Sequence, residues 1–181
     1  MKEASTCIVS AKVNPENLLP KVISWMYDGK LSFNFEQVVP LLAISRCYVI
    51  PKLTSELHKF LNNNLNSSNI LKLVKKCYDL ELPSELEALE SYLTKYLLEI
   101  PIEDLSDELD VFVFARTVKK ATMPTDIKVK LVSKFLGEYE TNQNEKEALA
   151  SIFDPSEKGL KQILVENHVD WLPETFLRSL R

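Results

Sequence analysis

PSELEALESYLTKYLLEI, residues 83–100, is the most regularly patterned stretch of the chain and decides its fold class. Pro83 is tolerated at a first helical position, where its missing N–H would have had no partner. Ser84 and Glu87 stand at the spacing of a capping box, in which side chains and backbone amides satisfy each other at a helix start. Leu86, Leu89, Leu93, Tyr96, Leu97 and Ile100 then recur at three- and four-residue steps, which predicts a helix with one buried face.

Upstream the same period returns. Ser67 or Ser68 can cap a helix carrying Ile70, Leu73, Val74, Cys77 and Tyr78 as its stripe. Pro51 opens another with Leu53, Leu57, Phe60, Leu61 and Leu65. Val38, Leu41, Leu42 and Ser45 share one face of a segment opened near Asn34, joined to the next by Tyr48-Val49-Ile50. Earlier still, Asn14 caps and Pro15 starts a helix that carries Leu18, Leu19, Val22, Ile23, Met26 and Tyr27 at helical spacing, ended by Asp28-Gly29. Residues 6–13, TCIVSAKV, are β-branched and partly alternating, so one short strand is expected there.

Downstream the signal weakens. An acidic, Pro-containing link spans 101–110. Val111-Phe112-Val113-Phe114-Ala115 has strand propensity, but its position ahead of Arg116, Lys119 and Lys120 favours a buried helix. A helix over 125–139 places Ile127, Leu131, Val132, Phe135 and Leu136 inward, and shorter helices are expected over 144–152, 156–166 and 172–180. The fold class is therefore mainly α: antiparallel helical hairpins with at most one short N-terminal strand.

Composition agrees by exclusion. The chain has 181 residues, 45% apolar and 27% charged, enough for a core and against global disorder. It holds only 3 glycines against 9 prolines, which argues against phosphate loops, glycine-built hairpins and many-stranded sandwiches. A formal net charge of −4 leaves no whole-domain basic footprint for nucleic acid. Cys7, Cys47 and Cys77 are odd in number and widely spaced, as expected of free thiols in a reducing compartment. The N-terminal residues lack the apolar core of a signal peptide, and no stretch is long enough to span a membrane.

Groups that converge for catalysis are not apparent in the sequence. His58 and His168 stand in unrelated contexts, and no metalloprotease, nucleophile-elbow or phosphate-loop motif occurs. The acids Glu103, Asp104, Asp107, Glu108 and Asp110 lack the spacing and central glycine of a calcium loop, and read as a solvated link or helix start. Lys72, Lys75, Lys76 and the run from Arg116 to Lys134 read as solvated helix faces. No catalytic residue, metal or cofactor is expected, which points to a binding or scaffolding module.

Val13-Asn14-Pro15, Leu18, Ile23 and Trp25-Met26-Tyr27-Asp28-Gly29-Lys30-Leu31 resemble the closing half of a BTB (POZ) domain, with its aliphatic–Tyr–x–Gly signature. Val38-Val39-Pro40-Leu41-Leu42-Ala43, Tyr48-Val49-Ile50 and Leu53 are similar to that domain's last helix pair. Phe60-Leu61 and Ser67-Ser68-Asn69-Ile70-Leu71 resemble its exit into a BACK region, whose helical pattern continues from Leu86 to Ile100. The resemblance implies a partial BTB domain over 1–65 and a BACK-like helical domain over 66–181. The chain would then begin at or just before the last BTB strand, as a fragment, a truncated gene model or a degenerate member. Homodimerisation, the family default, would lose its basis with the first half.

The resemblance further implies an adaptor that holds an unidentified protein substrate on a cullin-type ubiquitin ligase, in the cytoplasm or nucleus, without nucleic acid or membrane. Met1 and Glu3 fit the family's hydrophobic–x–Glu cullin motif, and Tyr27 fits the tyrosine of its signature. The other reading of the same residues is a helical assembly module unrelated to ubiquitin ligases.

Overall fold

The computed structural model describes residues 13–137 and 141–180. Among the described residues all regular structure is helical: α1 (Leu19–Asp28), α2 (Val38–Cys47), α3 (Pro51–Asn64), α4 (Ile70–Asp79), α5 (Pro83–Tyr96), α6 (Ile102–Glu108), α7 (Val111–Lys120), α8 (Thr125–Leu136), α9 (Gln143–Ala150), α10 (Leu160–Glu166) and α11 (Glu174–Ser179). Short 3-10 turns at Pro15–Asn17 and Phe35–Gln37 precede α1 and α2. Of the expected strand only Val13 is described, and it carries no regular structure; residues 6–12 lie outside the described residues. The chain divides into two compact units, Met1–Asn64 and Leu65–Arg181.

The first unit is organised around α2, which packs on α3 and on both turns. One face was expected to be buried; instead every residue from Val38 to Ser45 is buried. This follows from the sequence, since Val38–Ser45 holds no charge and a helix apolar all round must be covered all round. Its one hydroxyl is satisfied: Ser45 Oγ donates to the Leu42 carbonyl at 2.9 Å and lies 2.9 Å from the Thr54 hydroxyl on α3. Asn34 and Gln37 form the capping box that starts the turn into α2. On α3 the stripe Leu53, Leu57 and Leu61 is buried, while Phe60 packs its ring against Phe33 and Phe35 at 5.0 and 6.2 Å.

In the second unit α4 packs on α5, α5 on α7, and α7 on α9, while α6 lies on α4 and α8, and α8 on α10. The α4–α5 hairpin is antiparallel, because Tyr96 at the end of α5 donates its hydroxyl to the Leu65 carbonyl ahead of α4, at 3.2 Å. Leu86, Leu89, Leu93, Leu97 and Ile100 are buried as their period predicts. The expected Ser84 capping box is absent: α5 begins at Pro83, Leu82 holds the cap position, and no side chain caps it. Neither serine of the pair 67–68 caps α4 either; Asn66 accepts from the Ser68 N–H and hydroxyl instead.

The ambiguous run 111–115 is helix α7. Asp110 caps it by accepting the Phe112 N–H at 2.8 Å, and Val111, Val113, Phe114 and Ala115 are buried. Phe114 stacks on Phe135 of α8 with ring centroids 3.7 Å apart. On α8 the buried residues are Val129, Val132, Phe135 and Leu136; Ile127 and Leu131, expected inward, are only half-buried. The acidic link contains α6, a helix whose first turn holds Glu103 and Asp104, where carboxylates suit the positive end of the helix dipole.

Few glycines mark the helix ends, so other residues take the left-handed position. After α2, Val49 (φ +54°) donates to the Arg46 carbonyl while Ile50 donates to Ser45. After α4, Glu81 and Leu82 close on Tyr78 and Cys77 in the same paired way, with φ +52° at Glu81. His168 (φ +50°) and Val169 repeat it after α10, onto Val165 and Leu164. These paired bonds satisfy carbonyls that a helix end otherwise leaves open.

Candidate interaction surface

Helix α1 turns Ile23, Met26 and Tyr27 outward, at 47%, 63% and 87% exposure. The helix is anchored instead by Leu18, Val22 and Trp25, which are buried, with the Lys52 ammonium of α3 5.9 Å from the Trp25 ring centre. Leu18, Val22 and Trp25 recur at four- and three-residue steps, and Ile23, Met26 and Tyr27 at three and one, so α1 carries two apolar stripes. Periodicity alone cannot choose between them. The indole makes the larger burial, and the outer stripe is left as a ridge.

The ridge is held by well-satisfied ends. Asn14 Oδ1 accepts the Leu19 N–H at 2.8 Å, although a 3-10 turn separates it from the helix it was expected to begin directly. Pro20 lies in the first turn of α1, and Gly29 (φ +68°) closes its end by donating to the Trp25 carbonyl at 2.8 Å. Left-handed backbone is what glycine adopts without steric cost. Ser24 donates to Asp28 across one turn at 2.9 Å.

Of the residues expected to bind a partner, Tyr27 therefore stands on the exposed ridge. Met1 and Glu3 lie outside the described residues. Ile23 and Met26 extend the ridge and were missed, because in sequence they are indistinguishable from core.

The polar groups are dispersed or used in packing. Among the described residues no group of three or more His, Cys, Asp or Glu could hold a metal ion. His58 is half-buried on α3 and His168 closes α10, in separate units. The basic run was expected to be a plain solvated face, but two of its members converge. Arg116 donates through Nε and Nη2 to Glu90 Oε1 at 3.1 and 2.7 Å, and Lys120 Nζ donates to Oε2 at 3.0 Å. The Glu90 side chain is only 2% exposed, so this network pins α7 to α5. Its cations stand four residues apart on one face of α7, a spacing visible in the sequence; the carboxylate they share is not. Lys130 pairs with Asp126 within α8 at 3.7 Å, a weak surface contact. No helix among the described residues is long and apolar enough to cross a membrane. No family model, curated protein or solved structure matches this chain.

Proposed function

We propose that this chain is a non-catalytic protein–protein interaction module, an adaptor that holds a client protein on a cullin-type ubiquitin ligase in the cytoplasm or nucleus. The observation that carries the reading is the α1 ridge of Ile23, Met26 and Tyr27, three large apolar side chains exposed side by side. Burying such a side chain against a partner gains about 1.5–3 kcal/mol, and binding energy concentrates in a few residues of this kind. Further support comes from the sequence, where Tyr27 occupies the tyrosine of the BTB-like Tyr–x–Gly signature and Met1 and Glu3 fit the cullin motif upstream. Such an adaptor makes and breaks no covalent bonds; the ligase it holds transfers ubiquitin.

Affinity capture of the tagged chain from cell extract, probed for cullin, tests this. The wild type is expected to retain cullin, and the double variant Glu3→Ala, Tyr27→Ala to release it. Cullin retained by the double variant would remove both residues from the interface. Ile23→Ser with Met26→Ser reports on the ridge independently of Glu3. Absence of cullin, with another protein captured through the same ridge, would replace the ligase reading with that of an assembly module.

A further inference from the structure

The chain has three methionines, Met1, Met26 and Met123. Met1 lies outside the described residues, and Met123 is half-buried in the link ahead of α8. Met26 is 63% exposed and stands on the α1 ridge between Ile23, one turn back, and Tyr27, the next residue. Its thioether is the ridge group that a mild two-electron oxidant alters, turning a flexible apolar side chain into a polar one.

The place of Met26 decides what that change does. A sulfoxide in a core disrupts packing, and one on an isolated surface methionine leaves a protein much as it was. Met26 belongs to neither class. Helix α1 is held by Leu18, Val22 and Trp25, which are buried, and by the ends that Asn14 and Gly29 close. None of these involves the thioether. An oxygen added to its sulfur therefore leaves the helix in place and sets a strong hydrogen-bond acceptor, which holds water, in the middle of an apolar surface. Binding energy that concentrates in a few apolar anchors is sensitive to such a change.

We propose that Met26 is a reversible oxidation site that switches the α1 ridge from an apolar to a polar surface. The oxidant is a hydroperoxide such as hydrogen peroxide. A sulfur lone pair attacks one peroxide oxygen, and the O–O bond breaks as the S–O bond forms. The departing hydroxide takes the proton of the transferred oxygen and leaves as water. Sulfur loses two electrons and the peroxide gains them. A thiol-dependent sulfoxide reductase reverses the step, with two thiols becoming a disulfide and the oxygen leaving as water. The reduced chain then holds its partner and the oxidised chain releases it. This last consequence rests on the ridge being the docking surface; the oxidation itself does not.

In the test, the intact chain is treated with hydrogen peroxide and then with dithiothreitol. The thiol returns disulfides and sulfenic acids to cysteine and leaves methionine sulfoxide in place. Peptide mass spectrometry is expected to show Met26 oxidised at least about threefold faster than Met123. The oxidised chain should keep its helical circular dichroism and leave a hydrophobic-interaction column earlier, and sulfoxide reductase should restore its retention. Met26→Leu should show no peroxide-dependent shift, which separates the effect from Met1 and from Cys47, an exposed free thiol. Met26→Gln should elute early without peroxide. In cullin capture, oxidation should lower the amount held by about tenfold or more, and the reductase should restore it. Oxidation at Met26 no faster than at Met123, or a column shift that persists in Met26→Leu, would overturn the proposal. So would loss of the helical signal, or cullin held equally by the oxidised chain. If the untreated wild type holds no cullin, the ligase reading fails, and the mass and column measurements still decide the switch.

Discussion

Glu90 is the most consequential single charge among the described residues. Its carboxylate is withdrawn from water, while Arg116 and Lys120, at 50% and 39% side-chain exposure, remain solvated at their far sides. The two halves of the network are therefore unequal. Removing the cations strands a buried carboxylate, whereas removing the carboxylate leaves two cations that water can still reach. Arg116→Ala with Lys120→Ala is expected to lower unfolding free energy by about 2–3 kcal/mol, a value reduced for that exposure. Glu90→Leu, which keeps the volume, should cost under about 1 kcal/mol. Urea titration of both variants measures the asymmetry, and equal losses would contradict it. Asp154 gives a residue-scale prediction in pH. The Ser156 hydroxyl at 2.7 Å and then its backbone N–H at 2.9 Å donate to the Asp154 carboxylate and lower its pKa below the usual aspartate value. A lowered pKa means that the stabilisation is present above the ordinary range and is lost as pH falls through the folded value. An NMR titration should place Asp154 below ordinary aspartates, and Ser156→Ala should move it back up.

At the scale of elements, the sequence was legible wherever one face of a helix alone is apolar. The stripes of α3, α4 and α5 are buried nearly residue for residue, except that Phe60 and Tyr96 are half-buried and Tyr78 is exposed. Legibility failed where two faces compete, as on α1, or where both are covered, as on α2, because a period locates a face without saying how many neighbours will cover it. Helix ends failed for a different reason. Sequence reading looks for glycine after the last turn, and Gly29 and Gly137 supply it for α1 and α8, but Val49, Glu81 and His168 take a positive φ at the ends of α2, α4 and α10. Val49 is the most costly of them, being β-branched and 80% exposed with no burial to offset the strain. Val49→Gly is therefore expected to stabilise the chain by about 1 kcal/mol, net of glycine's extra freedom when unfolded. A raised urea midpoint with unchanged slope checks it; a fall would show that the side chain contributes more than the strain removes. On the candidate surface, Tyr27 was singled out through its signature, while Ile23 and Met26 beside it were not.

For the whole molecule, the division after Asn64 has a consequence for folding. Leu65 belongs to the second unit through the Tyr96 hydroxyl, and α4 to α10 make their packing partners within that unit. A fragment beginning at Leu65 is expected to fold unaided, keeping helical circular dichroism and a cooperative thermal transition. A featureless melt would mean that this unit leans on residues before it.

The chain contains two tryptophans, and each unit holds one. Trp25 is buried in the first beneath Lys52, and Trp171 in the second, where its indole N–H reaches Ser133 at 3.2 Å beside the Phe153 ring. The protein thus carries a separate optical reporter in each half. In Trp25→Phe the remaining emission follows the second unit alone, and its denaturation curve should overlay that of the fragment beginning at Leu65. In Trp171→Phe the emission follows α1, so a partner settling on the ridge would register as a spectral change with no label attached.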